Sequence, residues 1–360
     1  MLSQKQSSFL IIGVMSGTSL DGLDLVASRF TKNGDSWSYQ IELAETIAYP
    51  DQLIDDLKEA FKFKKEDLSG LDKELGEFIG NSIRVFSKSL AKEVDFVASH
   101  GHTIHHDPAN GYTLQIGSGN AIAEMCGYPV INNFRVNDVS LGGQGAPLVP
   151  IGDRDLFSEY QYCLNLGGIA NITVIRGNDQ VLAFDICPFN MALNFLANQL
   201  DLKFDEGGVL ANEGQVNETL LEQLNQIDFL QKEAPKSLGF EDFSALWLPF
   251  LANSSFSTHD LMRTYIEHAA IQISKAIGSN ESKERVLVTG GGAFHQTFVN
   301  RLKALSKREV VVPSDALINY KEALVFAYLG LLRFLKKPNC LASVTGAKRD
   351  NMGGDLYFFP

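Results

Sequence analysis

Three glycine-rich turns, each directly after an apolar run, constrain the fold of this chain more than any other feature of its sequence. The first lies in GVMSGTSLDGLD (13–24), the second in YCLNLGGIANITVIRG (162–177), and the third in RVLVTGGGAFHQTFVNRLKAL (285–305). A second apolar run with strand character follows each of the first two turns, whereas a helical pattern follows the third. The patterns predict two strand–turn–strand units and one strand–turn–helix unit.

The first turn raises the question of what it binds. Small residues can bring backbone N–H groups close to an anion, yet this turn contains no Lys or Arg. It also lacks the P-loop and dinucleotide-binding patterns, both of which open a helix. Asp21 and Asp24 would repel a phosphate unless a cation, most simply hydrated Mg²⁺, lies between them. Because Gly, Asp and Ser also favour ordinary turns, the stretch alone is consistent with a plain hairpin as well.

Composition narrows the class of protein. A chain of 360 residues that is 45% hydrophobic can bury a large core and suggests two domains. The net charge of −12 argues against nucleic acid and anionic membranes as partners. The short apolar run at the N-terminus is too short to span a membrane and lacks a signal-peptide cleavage pattern. Four cysteines without paired spacing indicate free thiols of a reducing compartment, so a cytoplasmic protein is predicted.

The remaining patterns predict the other elements. Helices are expected within 51–92, from Pro188-Phe189-Asn190 to Leu200, over 261–277 and over 320–335; strands are expected at 94–99, 129–131 and 181–185, with a short strand at the end of a loop-rich tail, 342–359. The polar, glycine-rich stretch 132–150 is where the main domain change is predicted.

Two hairpin turns that face each other, together with a glycine-rich helix start, would hold a nucleotide between two lobes. The sequence therefore predicts an α/β, two-lobed actin-like ATPase (ribonuclease H-like) fold with a nucleotide cleft between the lobes. The first lobe is expected to comprise 1–140 plus the tail 341–360. The second is expected to comprise 141–340, with the second phosphate turn, a catalytic aspartate and an adenosine loop.

Nine stretches in order resemble one family, the anhydro-N-acetylmuramic acid kinases of bacterial cell-wall recycling. They are MSGTSLDGLD (15–24), SHGHTIHHDP (99–108), NNFRVNDVSLGGQGAPLVP (132–150), NLGGIANIT (165–173), FDICPFN (184–190), PKSLGFEDF (235–243), VTGGGAFHQTFVNRL (288–302), EALVFAYLG (322–330) and VTGA (344–347). The resemblance implies a kinase that uses ATP and Mg²⁺. It opens the anhydro ring of 1,6-anhydro-N-acetylmuramate with water and phosphorylates O6, giving N-acetylmuramate 6-phosphate.

The resemblance also implies roles for individual residues. The catalytic base that activates water is expected to be Asp185. Phosphate contacts are expected from the first turn: Gly17, Thr18, Ser19, Leu20, Asp21, Gly22, Leu23 and Asp24, with Asp21 at the metal. Further nucleotide contacts are expected from Asn165, Gly167 and Gly168 in the second turn and from Gly290, Gly291 and Gly292 in the adenosine loop. The sugar pocket is expected to involve His100, Arg135, Asp138 and Glu322. A small-molecule amino sugar and a second copy of the chain, in a homodimer, are the implied partners.

Each of these assignments has a structural alternative. Asp185 taken alone is a common type of acid at a strand end beside a helix. Asn165 and Asn171 could simply stabilise their turn, and Gly290–Gly292 could serve strand-to-helix packing. The cluster of His100, His102, His105 and His106 with Asp107 resembles a zinc site, because imidazole is the commonest metal ligand. We predict that it is metal-free and that His100 forms hydrogen bonds in the pocket.

The chain departs from its family beside the proposed base, where small residues are usual. Here Asp185 is followed by Ile186, Cys187, Pro188, Phe189 and Asn190. We predict that the Phe189 ring packs in the core under the helix; the alternative is that it faces the sugar. The added bulk leaves two other functions open: a kinase of the same fold for another amino sugar, and a nucleotide-binding regulatory protein without sugar chemistry.

Overall fold

The structure is a computed structural model that describes residues 7–17, 19–177, 180–252, 255–278 and 283–359. The chain divides into two compact units. Unit 1 comprises Met1–Phe157 and Tyr320–Pro360, and unit 2 comprises Ser158–Asn319.

Unit 1 is built on a six-stranded sheet with a separate two-stranded ribbon. Its strands are β1 (Ser8–Ser16), β2 (Leu23–Asn33), β3 (Ser36–Ile47), β4 (Phe96–Ser99), β5 (His102–Asp107), β6 (Tyr112–Ile116), β7 (Val130–Asn132) and β13 (Asp355–Tyr357). Its helices are α1 (Asp51–Glu59), α2 (Ser69–Phe86), α3 (Gly119–Cys126), α4 (Val136–Ser140), α5 (Pro150–Leu156) and α15 (Ala342–Thr345), together with most of α14 (Asp315–Phe334), which begins in the last residues of unit 2.

Unit 2 is built on a five-stranded sheet. Its strands are β8 (Tyr162–Leu166), β9 (Ile169–Ile175), β10 (Val181–Pro188), β11 (Arg285–Thr289) and β12 (Glu309–Val311). Its helices are α6 (Asn190–Asn198), α7 (Val209–Glu213), α8 (Glu218–Asn225), α9 (Asp228–Gln231), α10 (Phe240–Asp242), α11 (Leu248–Leu251), α12 (Thr258–Ile277) and α13 (Gln296–Leu305).

Five neighbouring strands of the sheet in unit 1 have the same order as the five strands of unit 2. In unit 1 the order is β13-β7-β4-β1-β2-β3, with β1, β2 and β3 antiparallel and with β4 and β7 parallel to β1. In unit 2 the order is β10-β9-β8-β11-β12, again an antiparallel meander followed by two parallel strands. Each unit therefore contains the ribonuclease H-like order 3-2-1-4-5. This repeat confirms the predicted α/β fold class.

Apolar patterning explains why β1 lies inside its sheet. The run Phe9–Val14 is buried on both faces of the strand, except that Gly13 replaces a side chain where α14 crosses. A Cβ at Gly13 would lie 1.9 Å from the carbonyl oxygen of Ala323. A Cβ at Gly330 would likewise lie 2.6 Å from Cβ of Ala98 in β4. Helix α14 thus packs against this sheet at a distance that only glycine permits.

Because of this packing, the boundaries between the two units lie at other residues than predicted. Residues 141–157 and 320–340 belong to unit 1, whereas the sequence patterns assigned them to the second lobe. The close approach of α14 to β1 and β4 accounts for 320–340. Helix α5 follows the same unit because Gly152 lies against Val325 of α14, where a Cβ would be 2.7 Å from the valine methyl groups.

Most predicted elements are present with shifted ends. The two strand–turn–strand units and the strand–turn–helix unit are confirmed, and helix α14 starts five residues before the predicted 320. Strand β3 and the β5–β6 ribbon were not predicted. β3 alternates mostly between partly buried and exposed residues and pairs with β2 along its length. β5 carries the histidine cluster, whose polar composition conceals its strand conformation.

Candidate active site

The first glycine-rich turn joins β1 to β2 in unit 1. The N–H of Leu20 donates to the carbonyl oxygen of Gly17 at 3.2 Å, and the Ser19 hydroxyl donates to Asp21 Oδ1 at 2.7 Å. Leu20 and Gly22 have φ angles of 55° and 153°. A Cβ at Gly22 would also lie 2.4 Å from a threonine methyl group of β3. Glycine at 22 therefore allows β3 to approach the turn closely.

The residues of this turn differ in what they can offer a nucleotide. Asp21 and Ser19 are exposed, so their side chains can reach a ligand or a metal ion. Leu23 is fully buried and packs in the core of unit 1, so it can contribute only backbone groups. Thr18 lies outside the described residues. The nucleotide contacts of this turn stay a prediction.

Asp24 is the second carboxylate of the turn and the second residue of β2, where it pairs with Met15. Its Oδ1 accepts a hydrogen bond from the Thr46 hydroxyl at 2.6 Å, and the Tyr320 hydroxyl lies 3.2 Å from Thr46 Oγ1. Burial raises the pKa of Asp24 to about 6, the Thr46 hydrogen bond opposes this, and the charges of Asp21 and Glu322 add to the rise. Because its environment disfavours the ionised form, this carboxylate fits a site that normally contains a cation.

We expect Asp24→Asn to stabilise the ligand-free protein at pH 7. The folded pKa of Asp24 is raised from 3.8 to about 6, so the folded state binds more protons than the unfolded state between these values. Stability therefore falls as the pH rises through this window, and an amide, which keeps the acceptor for Thr46, does not incur this loss. Thermal unfolding from pH 4 to pH 7.5 should show the two proteins converging at the acid end.

The control for this prediction is Asp21→Asn, because Asp21 is exposed in the same turn. It should change the pH dependence of the melting temperature only slightly, because the Asp21 charge contributes less to the raised pKa of Asp24 than burial does. An Asp24→Asn protein that is no more stable than wild type at pH 7 would show that the carboxylate is not strained by burial.

Below the turn lies a buried chain of polar groups that sequence patterns did not reveal. The Tyr49 hydroxyl donates to Ser16 Oγ at 2.7 Å, and Ser16 Oγ lies 2.8 Å from His102 Nδ1. Ser16 directly precedes Gly17, so these hydrogen bonds fix the end of β1 from which the turn starts. Tyr49 and His102 lie 33 and 86 positions after Ser16, so no local pattern could have connected the three residues.

His100 and Arg135, both expected in the sugar pocket, are in contact with each other. Arg135 donates from Nε and Nη2 to His100 Nε2 at 3.0 and 2.8 Å, and from Nη1 to the carbonyl oxygen of Gly145 at 2.7 Å. His100 accepts at Nε2, and burial together with the Arg135 charge holds its pKa well below the usual value. The imidazole is therefore neutral and orients the guanidinium, which stays charged although burial lowers its pKa to about 10.

Glu322 belongs to the same electrostatic group. Its charge acts on both Arg135 and Asp24, and its side chain is accessible to solvent. Desolvation by the surrounding protein raises the pKa of Glu322, and the positive charges of Lys321 and Arg135 oppose this rise. Because water reaches the carboxylate, the influence of burial on it is limited. Glu322 is thus available to a polar ligand beside Arg135.

Asp138 has a different environment from the one expected for a sugar ligand. Its carboxylate is fully buried and accepts hydrogen bonds from the backbone N–H of Gly145, the Thr345 hydroxyl and the Asn351 amide, at 2.8, 2.9 and 2.7 Å. The geometry therefore gives no support to a direct sugar contact. Asp138 instead ties the C-terminal tail to the loop whose Gly145 carbonyl holds Arg135.

The histidines of the predicted metal-free cluster have separate partners. His102 bonds to Ser16, His105 Nε2 lies 2.8 Å from the carbonyl oxygen of Phe63, and His106 Nδ1 lies 3.0 Å from the Thr113 hydroxyl. Each imidazole thus has its own hydrogen bond, like His100 with Arg135. No group of three or more His, Cys, Asp or Glu side chains in the described ranges could hold a metal ion. The absence of zinc from this chain stays a prediction.

The second glycine-rich turn joins β8 to β9 in unit 2 and is bonded to the start of α6. The carbonyl oxygen of Gly168 accepts from the N–H groups of Phe189 and Met191, and that of Gly167 accepts from Asn190 N–H at 3.1 Å. The Asn190 side chain also donates to the Leu166 carbonyl at 3.1 Å. The turn and the helix that follows β10 are therefore one rigid assembly, in which the first N–H groups of α6 are already paired.

The third glycine-rich segment packs against this assembly. Gly290 has a φ of 80°, and a Cβ there would lie 2.6 Å from Asn165 Oδ1. A Cβ at Gly292 would lie 2.4 Å from the Phe189 ring. Of the three glycines only Gly291 is exposed, and a Cβ there would make an ordinary contact with the Asn190 amide nitrogen at 3.7 Å. The packing role of Gly290 and Gly292 is clear, and adenosine contact by the segment remains an expectation.

Phe189 lies in the core, as predicted. Its side chain is 0% exposed and packs edge-on against Phe298, with ring centroids 4.6 Å apart. Ile186 and Cys187 are buried in the same cluster. The bulky residues beside the proposed base therefore fill the interior of unit 2, which removes the structural reason to expect an altered sugar pocket.

Asp185 lies in β10 opposite Asn171, at a β-bulge before Cys187. Its Oδ2 accepts a hydrogen bond from the backbone N–H of Leu238 at 2.8 Å. Burial raises its pKa, and this hydrogen bond opposes the rise. A half-buried carboxylate with a raised pKa, on a strand that leads into α6, is suited to act as a proton acceptor.

The third segment also has an anchor that the sequence did not suggest. His295 starts α13 and accepts at Nδ1 from the Phe298 N–H at 3.2 Å, while its Nε2 lies 3.4 Å from Asp205 Oδ2. Asp205 also accepts from the N–H groups of Leu210 and Ala211 at the start of α7. The pair fixes the end of the glycine-rich segment, and only the fold brings together residues 90 positions apart.

Known proteins resemble this chain over nearly its full length. The family model for anhydro-N-acetylmuramic acid kinase matches residues 9–359. Proteins of that name from Saccharophagus degradans and Shewanella baltica are 33% and 35% identical, over 97% and 96% of this chain and 98% of each relative. Among solved structures, a ligand-bound xylulose kinase from Lactobacillus acidophilus covers 98% of this chain at 11% identity, with a TM-score of 0.46.

The repeated strand order and the three glycine-rich turns define the class. Two ribonuclease H-like sheets in one chain, each with a turn between its first two strands, are the framework of the actin-like ATPases and sugar kinases. Within this class the chain belongs to the anhydro-N-acetylmuramic acid kinase family, because the family model spans all but its first 8 residues and its last.

Proposed function

We propose that this protein is a kinase that uses ATP and water to convert 1,6-anhydro-N-acetylmuramate into N-acetylmuramate 6-phosphate and ADP. The observation that carries the proposal is the extent of the family match. Its span, residues 9–359, includes the first turn, the β8–β9 turn, Asp185 and the third glycine-rich segment. Peptidoglycan recycling is the process in which such a reaction has its place.

The chemistry couples hydrolysis to phosphoryl transfer. A water oxygen bonds to C1 as the C1–O6 bond breaks, and the electron pair left on O6 forms the new bond to the γ-phosphorus as ADP leaves. The phosphoryl group thereby accepts the charge that a general acid would neutralise in an inverting glycosidase. Water must approach C1 from the face opposite O6, so a carboxylate base is needed on that face.

Asp185 is proposed as this base. Its raised pKa brings it closer to neutrality, where a base is most effective, and its backbone is fixed by the β9 pairing and by the start of α6. Arg135 is proposed to contact the lactyl carboxylate of the sugar, since a charged guanidinium suits carboxylate recognition. Glu322 is proposed as an acceptor for sugar hydroxyl or amide groups, with His100 positioning Arg135.

The first turn and the third segment are proposed to bind ATP. The carboxylates of Asp21 and Asp24 in the first turn are the hard oxygen ligands that Mg²⁺ prefers. Mg²⁺ is usually held by one or two carboxylates together with the phosphates of the nucleotide. Bound there, the ion would neutralise charge on the phosphates during transfer. Asp21 is the residue proposed to face it, through its exposed carboxylate.

Location and assembly are also proposals. None of the helices in the described ranges is long and apolar enough to cross a membrane. All four cysteines are free and buried, which suits a reducing compartment and supports a cytoplasmic location. A homodimer is proposed from family resemblance, and light scattering behind gel filtration measures it directly.

One experiment separates this function from its two alternatives. The protein is incubated with ATP, Mg²⁺ and a panel of anhydro and free amino sugars, and products are weighed by mass spectrometry. We expect the anhydro-N-acetylmuramate product to be heavier than its substrate by one phosphoryl group and one water. Omission of Mg²⁺ should abolish it.

The other outcomes each favour a different function. A kinase for another sugar would phosphorylate an intact free sugar faster than the anhydro form, without added water. A regulatory protein would hydrolyse ATP slowly, at a rate that no sugar changes. Either result would contradict the proposal.

A further inference from the structure

A short segment of unit 2 lies along the proposed catalytic base. The backbone N–H of Asp185 donates to the carbonyl oxygen of Lys236 at 2.9 Å, and the N–H of Leu238 donates to Asp185 Oδ2 at 2.8 Å. β10 is an edge strand of its sheet, so its outer side is open to such pairing. The two bonds hold both the backbone and the carboxylate of one residue.

Lys236 anchors this segment to the core. Its Nζ donates to the carbonyl oxygens of Phe229 and Leu230 in α9, at 3.2 Å each, and lies 4.8 Å from the centroid of the Phe229 ring. Phe229 is buried and packs edge-on against Trp247. The ammonium group therefore ties the segment to a buried part of unit 2.

We propose that the segment Lys236–Leu238 is a clamp that positions Asp185 for proton transfer, with Lys236 as a positioning residue. The clamp holds Oδ2 and leaves Oδ1 to receive the proton of the attacking water. No described residue donates a hydrogen bond to Oδ1. A base rotated by even a small angle would lose its alignment with the water, so the clamp acts on the rate of the chemical step. This inference rests on the proposed role of Asp185.

The clamp also affects the charge of the base. A hydrogen bond to a carboxylate favours its ionised form, so the Leu238 N–H opposes the rise in pKa that burial causes at Asp185. Two other titratable groups lie in the adjoining segments. Lys236 is engaged with α9, and Cys187 stays neutral because burial raises its pKa to about 12. Loss of the clamp should therefore raise the pKa of Asp185.

The test is Lys236→Met in the full-length protein, assayed with ATP, Mg²⁺ and 1,6-anhydro-N-acetylmuramate. We expect kcat to fall about tenfold or more while the KM for ATP stays within about twofold of wild type. The acid limb of the kcat–pH profile should move up by about 0.5–1 pH unit, because a base with a higher pKa ionises at higher pH. Lys236→Arg keeps donors for both α9 carbonyls and should restore the wild-type limb.

The matched control is Lys232→Met. Lys232 lies 5.4 Å from the same Phe229 ring and loses the same charge, but it is outside the clamp. It should retain the wild-type rate and profile. A folded Lys236→Met protein with the wild-type acid limb, or the same shift in Lys232→Met, would overturn the proposal.

A second variant guards against misfolding. Leu238→Pro removes the N–H donor and leaves the Lys236 anchor, and it should move the limb in the same direction; an unmoved limb in this variant also contradicts the clamp. Asp185→Asn separates the two levels of inference. If that variant keeps its activity, the proposed base is wrong; if it is inactive while the clamp variants behave as wild type, only the clamp is wrong.

Discussion

Asp185→Asn should lower kcat for anhydro-N-acetylmuramate by about 10²–10⁴-fold and leave ATP binding intact. A positioned general base contributes a factor of this size, and an amide cannot accept the proton of the attacking water. The amide keeps the volume of the side chain and an oxygen acceptor for the Leu238 N–H, so little else changes. Steady-state product formation and ATP titration measure the two effects separately.

Stability provides the internal control for this variant. Burial raises the folded pKa of Asp185 above its usual value, so ionisation at pH 7 weakens the folded state. The penalty is absent below the usual pKa and reaches its full size above the raised one. Asp185→Asn should therefore melt at the wild-type temperature or above it at pH 7, which excludes unfolding as the cause of lost activity.

A matched variant tests whether any nearby carboxylate would have the same effect. Asp242 also accepts one backbone hydrogen bond, from Gly239 N–H at 2.8 Å, and lies just beyond the clamp. The fold-change in kcat caused by Asp242→Asn should be at least about ten times smaller than that caused by Asp185→Asn. If Asp185→Asn keeps more than about a tenth of the wild-type kcat, Asp185 is not the base.

Phe189→Ala should lower the free energy of unfolding by about 3–5 kcal/mol without changing sugar preference. The ring is fully buried between α6, α13 and the third glycine-rich segment, so its removal leaves a cavity that this packing cannot close. Urea denaturation measures the loss of stability. The ratios of kcat/KM among anhydro sugars, measured below the melting temperature, should equal those of wild type.

Two further variants test whether the loss of stability comes from the buried position of the Phe189 ring. Phe294→Ala removes a ring that is 43% exposed, just after the third glycine-rich segment, and should change stability by no more than about 0.5 kcal/mol. Gly292→Ala should destabilise wild type by about 1–3 kcal/mol, because its Cβ would overlap the Phe189 ring. The cost should be smaller in Phe189→Ala, where the ring is absent. Equal costs in both backgrounds, or a stable Phe189→Ala with altered sugar preference, would contradict the core assignment.

The turns show how far local patterns reach. An apolar run, a glycine-rich turn and a second apolar run predict a hairpin because each strand buries its own side chains, and β1–β2 and β8–β9 form as expected. The same patterns missed β3, whose polar residues alternate with partly buried ones at the edge of the sheet. Edge strands bury less apolar surface, so their sequences carry a weaker signal.

The candidate site was predicted unevenly for a related reason. Family resemblance indicated Asp185, His100 and Arg135, and the last two are in contact. It also indicated Asp138, whose carboxylate accepts from three donors, two of them more than 200 positions away in the chain. A motif records which residue type occupies a position, but burial and hydrogen-bond partners depend on what packs against it.

The sequence by itself determined the strand–turn–strand units, the class of fold and the family, because each depends on short-range periodicity or on motifs in a fixed order. Only the tertiary structure decided which unit holds α14, what the buried Asp138 contacts, and that Lys236 and Leu238 hold a base about fifty positions earlier in the chain. These features depend on close approaches such as Gly13 to Ala323 and on hydrogen bonds between distant segments. Such contacts exist only once the chain has folded, so no local pattern of residues encodes them.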